Sequence, residues 1–132
     1  MIALDSSFII DILRNKADAV AIFDSIKNEQ LATTIINVYE LVSGVYQVKD
    51  KNYDKHLNIL KNFLARIKIL YLDRESAFES SKINARLSMD GRIIDDLDIL
   101  IGGICISNNC KKIITKNKKH FDRIKGLEVV NY

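Results

Sequence analysis

Asp95-Asp-Leu-Asp98-Ile-Leu-Ile-Gly-Gly-Ile-Cys-Ile-Ser107, followed by Asn-Asn-Cys-Lys and then Lys112-Ile-Ile-Thr115, is the stretch that decides the fold. After its opening acids the first segment is apolar nearly all round. A helix of that kind must be buried. The second is a short apolar run, which reads as a buried strand. A buried helix feeding a buried strand is the unit of a parallel α/β sheet.

Reading outward, the unit recurs. Ile2-Ala-Leu-Asp5 is an apolar strand closing on an acid, and Ser6 or Ser7 can cap a helix through Leu13. Asn15 with Asp18 could cap a second helix, whose stripe is Ala19, Ile22, Phe23 and Ile26. Leu31 to Ile36 is rich in Thr and Ile and reads as a strand. Two helical stripes follow, Val38-Leu41-Val42-Val45 and His56-Leu57-Leu60-Phe63-Leu64. Lys68 to Leu72 alternates as a strand, and Ser76 with Glu79 forms a candidate capping box for a helix ending near Gly91. After Thr115 come a helical turn at His120 to Ile124 and a last strand at Leu127 to Asn131. The expected architecture is an α/β/α sandwich around a five-stranded parallel sheet, with residues 1–132 as one domain.

Composition agrees. The chain has 132 residues, 48% hydrophobic and 28% charged. This suits one soluble domain and excludes disorder. The longest strongly apolar run, Ile99 to Ile106, is far below the roughly 20 residues of a membrane span. Met1-Ile-Ala-Leu-Asp5 lacks the basic start of a signal peptide, so a cytoplasmic location with reduced thiols is expected. Cys105 and Cys110 form no CxxC, and His56 and His120 are remote in sequence, which argues against zinc. The net charge of +3 does not by itself imply nucleic acid.

In open parallel sheets, ligands bind at the carboxyl ends of the strands. Asp5 ends the first strand, and Glu40 lies in the first turn after the second. Asp95, Asp96 and Asp98 open the buried helix, and Thr115 and Asn117 end the fourth strand. Any of these acids could simply cap a helix or face solvent. Asp95, Asp96 and Asp98 directly abut eight apolar residues, in a helix with no Lys or Arg inside it. Buried carboxylates must be paired, protonated or bound to a cation. The usual resolution is a hard divalent ion, which can polarise a phosphodiester and lower the pKa of a water. A basic rim adjoins the set: Lys111, Lys112, Lys116, Lys118, Lys119, Arg123 and Lys125 against the single acid Asp122. Such a rim suits a polyanion approaching a metal centre. Gly102 and Gly103 read as packing the helix closely on the sheet, and Tyr39, Tyr46, Tyr53 and Tyr71 as packing or interface residues.

Four segments in this order resemble the PIN-domain nucleases, and among them the VapC toxins of type II toxin–antitoxin pairs. They are Met1-Ile-Ala-Leu-Asp5-Ser-Ser7, Asn37-Val-Tyr-Glu40-Leu, Gly91-Arg-Ile-Ile-Asp-Asp-Leu-Asp98, and Ile114-Thr115-Lys-Asn117-Lys-Lys-His-Phe121 followed by Gly126-Leu-Glu-Val. The resemblance covers essentially the whole chain. It implies an Mg²⁺- or Mn²⁺-dependent endoribonuclease, a homodimer, and a cognate antitoxin that blocks the active site. Carried over by position, Asp5, Glu40 and Asp98 are the core carboxylates, with Asp95 a further metal-site acid. Ser7, Thr115, Asn117 and Lys116 are expected on the substrate side. Asn117 stands where many relatives carry a fourth acid, which weakens the case for a second metal. Two other readings stay open. One is a non-catalytic binding or regulatory module of the same fold. The other is a phosphotransfer receiver, which would need an acidic pair after the first strand, where Asp5 stands alone.

Overall fold

The computed structural model describes residues 1–132. In chain order the elements are β1 (Ile2–Leu4), α1 (Ser6–Leu13), α2 (Ala17–Ile26), β2 (Leu31–Thr34), α3 (Ile35–Val45), α4 (Tyr53–Leu64), β3 (Lys68–Leu70), α5 (Arg74–Met89), α6 (Asp96–Ser107), β4 (Lys112–Ile114), α7 (Lys118–Phe121) and β5 (Glu128–Val130). The five strands form one sheet in the order β3-β2-β1-β4-β5, and every pairing is parallel. This is the expected α/β/α sandwich.

Alternation along β1 divides the core. Ala3 joins one cluster, with Ile83 and Leu87 of α5 and Ile101, Ile104 and Cys105 of α6. Ile2 and Leu4 join the other, with Phe8 and Ile9 of α1, Ala19 of α2 and Leu60 of α4. Period-two side chains on a strand clad on both faces require this split. Each fully buried Leu, Ile or Phe contributes about 1.5–3 kcal/mol.

The topology creates the crevice. After β1 the chain builds outward through β2 and β3, then returns to place β4 on the other side of β1. Strand order therefore reverses between β1 and β4, where ligands lodge in such sheets. Asp5 and Thr115 stand just past the carboxyl ends of these two strands.

Several local expectations are corrected. The second strand ends at Thr34, because Thr34 and Asn37 form a capping box that starts α3 at Ile35. The box of α5 is Asp73 with Ser76, not Ser76 with Glu79. The N-cap of α2 is Lys16, and Asn15 turns the chain in the left-handed region at φ 57°. The N-cap of α1 is Asp5, whose carboxylate makes no capping bond, and Ser6 and Ser7 lie inside the helix. The last short helix starts at Lys118 rather than His120.

Gly102 and Gly103 do serve packing, but not against the sheet. A Cβ at Gly103 would lie 1.9 Å from Ser80 Oγ and 2.7 Å from Ser80 N, so α6 presses onto α5 there. At Gly102 it would meet the tip of Ile124 at 2.5 Å. The helix ends in a Schellman loop: Cys110 N–H donates to the Cys105 carbonyl at 2.9 Å and Asn109 N–H to that of Ile106 at 3.1 Å. The loop turns the chain from α6 straight into β4. Tyr46 packs edge-on against Tyr53, ring centres 5.2 Å apart, while Tyr39 and Tyr71 are exposed.

Candidate active site

Asp5 is buried at the mouth of the crevice, 5% exposed. Its backbone carbonyl accepts from Phe8 and Ile9 and so launches α1. Its side chain turns the other way and is held at both oxygens. Oδ1 accepts from Asn37 Nδ2 at 2.8 Å. Oδ2 accepts from Ser7 Oγ at 2.9 Å and from Thr115 Oγ1 at 2.6 Å.

Asn37 joins β1 to α3. Its amide also approaches Glu40 Oε1 at 3.3 Å, one helical turn on. Ser6 Oγ donates to the same Glu40 oxygen at 2.9 Å. Burial pushes the Glu40 carboxyl above its usual range against the lowering effect of Ser6, and the charges of Asp5 and Asp98 push it further.

Asp98 enters from the first turn of α6, where the helix dipole favours an anion. Burial pushes its carboxyl up as well. His120 opposes that shift, while Asp5 and Asp95 add to it. Asn117 Nδ2 donates to Asp98 Oδ2 at 2.9 Å, and His120 Nδ1 lies 2.6 Å from the same oxygen. Asp95, Asp98 and His120 offer ligand atoms that all lie within 4.8 Å of one another. No Lys or Arg pairs with Asp5, Glu40 or Asp98; among ionic partners Asp98 has His120 alone.

The crevice thus gathers Asp5, Glu40 and Asp98, with Asp95 exposed at its edge. Ser7 and Thr115 commit their single O–H donors to Asp5, and Asn117 commits its amide to Asp98. The Lys116 ammonium is drawn instead to Asp11 of α1. Much of the basic rim is likewise engaged: Lys112 pairs with Glu128, Lys118 with Asp122, and Arg123 donates to the carbonyls of Arg92 and Ile93.

Three site residues escape a reading of the acids alone. Ser6 and Asn37 are short polar residues on the helices next to the acids. His120 is remote in sequence from the other metal-binding residue types. Its one local signal is the Asn117-x-x-His120 spacing, which puts both on one turn.

A PIN domain profile matches residues 2–127 of the chain. "Ribonuclease VapC1" of Methanocaldococcus jannaschii is 31% identical over 97% of this chain and 85% of its own length. The structure of VapBC2 from Rickettsia felis, solved with a DNA fragment from its promoter, superposes with a TM-score of 0.88. It is 26% identical and covers 100% of this chain and 99% of that one. VapBC-1 from nontypeable Haemophilus influenzae superposes at 0.84, with 28% identity and coverage of 99% and 98%.

Proposed function

Because this chain belongs to the PIN-domain family, in its VapC-type branch, we propose that it is a divalent-cation-dependent endoribonuclease, the toxin of a toxin–antitoxin pair. The observation that carries the reading is the convergence of Asp5, Glu40 and Asp98, three carboxylates from separate parts of the chain, on the crevice between β1 and β4. Burial and mutual repulsion push two of these carboxyls up, and no lysine or arginine compensates them. That donor set fits a hard cation, Mg²⁺ or Mn²⁺.

Asp5, Glu40, Asp98 and Asp95 would hold the ion. When bound, it supplies neutralising charge, polarises a phosphodiester and lowers the pKa of a water. The protein's part is preorganisation. Asn37, Ser7 and Thr115 lock both oxygens of Asp5. Ser6 and Asn37 aim Glu40, and Asn117 with His120 aims Asp98. A substrate phosphate would lie against these carboxylates, beside the segment Thr115-Lys116-Asn117. The unpaired Lys111, Lys119 and Lys125 would supply sequence-independent attraction to RNA.

A homodimer and a cognate antitoxin protein complete the proposal. The Rickettsia felis and Haemophilus influenzae structures are VapBC pairs, which supports the antitoxin. Exposed Met89 and Ile93, at the connection from α5 to α6, offer apolar area to a second copy. No helix is long and apolar enough to cross a membrane. A cytoplasmic site of action is part of the reading.

The test is cleavage of total RNA and tRNA by the purified protein with Mg²⁺, with Mn²⁺ and with EDTA, with Asp98→Asn in parallel. Cleavage that requires metal and drops by orders of magnitude in the variant is expected. A folded wild type that cleaves nothing and binds no metal would leave the non-catalytic module as the better reading.

A further inference from the structure

One buried carboxylate lies outside the acidic cluster. Asp11, on α1, is 3% exposed. Three side chains converge on it, Lys16 from the turn just beyond α1 and Lys116 and Tyr132 from the far end of the chain. Lys16 Nζ stands 2.9 Å from Oδ1. The Lys116 ammonium reaches Oδ2, where the Tyr132 hydroxyl also donates at 3.1 Å. Lys116 Nζ further lies 5.4 Å from the centre of the Tyr132 ring. A buried carboxylate needs such partners. Lys116 above all holds the Asp11 carboxyl down to about 2, so it stays ionised.

The position of Lys116 gives the arrangement its meaning. Three successive residues engage the site. Thr115 Oγ1 donates to Asp5, and Asn117 Nδ2 donates to Asp98. Between them, Lys116 N–H donates to Ser7 Oγ at 3.2 Å, and Ser7 in turn donates to Asp5. The backbone of Asn117 closes onto Thr115 Oγ1 at 2.9 Å. The middle residue of this segment is the one whose side chain leaves the crevice and anchors on α1.

We propose that Asp11 is a positioning residue for the carboxylate site: by fixing Lys116 it fixes Thr115 and Asn117 against Asp5 and Asp98. The inference rests on the ribonuclease reading above and adds a residue to it. Lys16 supplies a comparison: it stands beside Lys116 and binds the other oxygen of the same carboxylate from the N-cap of α2, but lies outside the 115–117 segment.

The experiment compares wild type, Asp11→Asn, Lys116→Gln, the double variant and Lys16→Gln. Mn²⁺ affinity is read by calorimetry, RNA cleavage by kcat and KM, and the Asn117 side-chain amide by ¹⁵N NMR without metal. Partners that orient metal ligands are worth 10–100-fold in affinity or activity, so a group acting through such partners should cost about tenfold. Asp11→Asn and Lys116→Gln should each weaken Mn²⁺ binding and lower kcat about tenfold with KM unchanged, and each should shift the Asn117 amide signal. The double variant should be no worse than either single one. Lys16→Gln should have a clearly smaller effect than either in all three readouts. Wild-type Mn²⁺ affinity and an unmoved Asn117 signal in Lys116→Gln would overturn the proposal. So would equal effects from Lys16→Gln, which would mark Asp11 as a fold-stabilising residue only. Should the wild type cleave no RNA, the ribonuclease reading fails, while the NMR arm still decides whether Asp11 positions the segment.

Discussion

The side-chain amide of Asn37 donates to Asp5 Oδ1 at 2.8 Å, joining residues 32 positions apart. Through this bond the first turn of α3 is tied to the end of β1. The same Asn37 forms half of the capping box with Thr34 and approaches Glu40. Replacing it removes the reciprocal half of that capping box and leaves two carboxylates short of a donor. Asn37→Ala should lower stability by about 2 kcal/mol, read from urea unfolding. RNA cleavage should fall further than that loss of folded protein explains.

Glu40 should trade stability against activity. Burial raises its carboxyl, so the folded state binds this proton more tightly than the unfolded chain. Such a group favours folding at low pH and costs stability once pH passes its ordinary value. Glu40→Gln removes that cost and keeps an oxygen to accept from Ser6. In EDTA at neutral pH the variant should melt no lower than wild type. Mn²⁺ should raise the wild-type melting temperature and leave the variant's nearly unchanged, while cleavage should drop at least about 100-fold. An equal Mn²⁺ shift in both proteins would remove Glu40 from the metal site.

Asp11 gives a pH dependence of the opposite sign. Its carboxyl is depressed from 3.8 to about 2, chiefly by Lys116. The stability it contributes is complete above the unfolded value and is lost as pH falls towards 2. The gap in unfolding free energy between wild type and Asp11→Asn should therefore be constant from pH 7 to pH 5. It should shrink between pH 4 and pH 2. A gap that widens on acidification would contradict the ion pairs drawn at Asp11.

The two glycines of α6 should respond unequally to alanine. At Gly103 the added methyl meets Ser80 Oγ at 1.9 Å, Ser80 N at 2.7 Å and the Ser76 carbonyl at 2.9 Å, and backbone cannot step aside. Gly103→Ala should cost about 3 kcal/mol. At Gly102 the obstacle is the flexible tip of Ile124, and alanine's helix propensity returns up to about 1 kcal/mol. Gly102→Ala should therefore stay within about 1 kcal/mol of wild type. Thermal or urea unfolding of the two variants side by side checks the order.

Much of the fold is legible in single residues. Ile2 and Leu4 alternate with Ala3, and α6 is apolar on every side. Asp5 and Glu40 fall where strands hand over to helices, and Asp98 falls in the first turn of the buried helix. Local signals blurred where polar residues compete for caps: Ser76 was available to start α5, but Asp73 took that place. Asp5 caps no backbone group with its side chain because three donors claim it first.

The sequence by itself determined the order of elements, the two-faced core and the carboxylates of the crevice. Those follow from periodicities of two and 3.6 residues, which act over a few positions. Only the tertiary structure decided which donors those carboxylates receive. Thr115 reaches Asp5 across 110 residues and Tyr132 reaches Asp11 across 121. Such partners depend on β4 returning beside β1 rather than beside β3, and on which group wins each buried oxygen. His120 became a partner of Asp98, and Lys116 a partner of Asp11, for that reason: burial makes an unpaired charge too costly to leave, and the fold chooses what stands nearest.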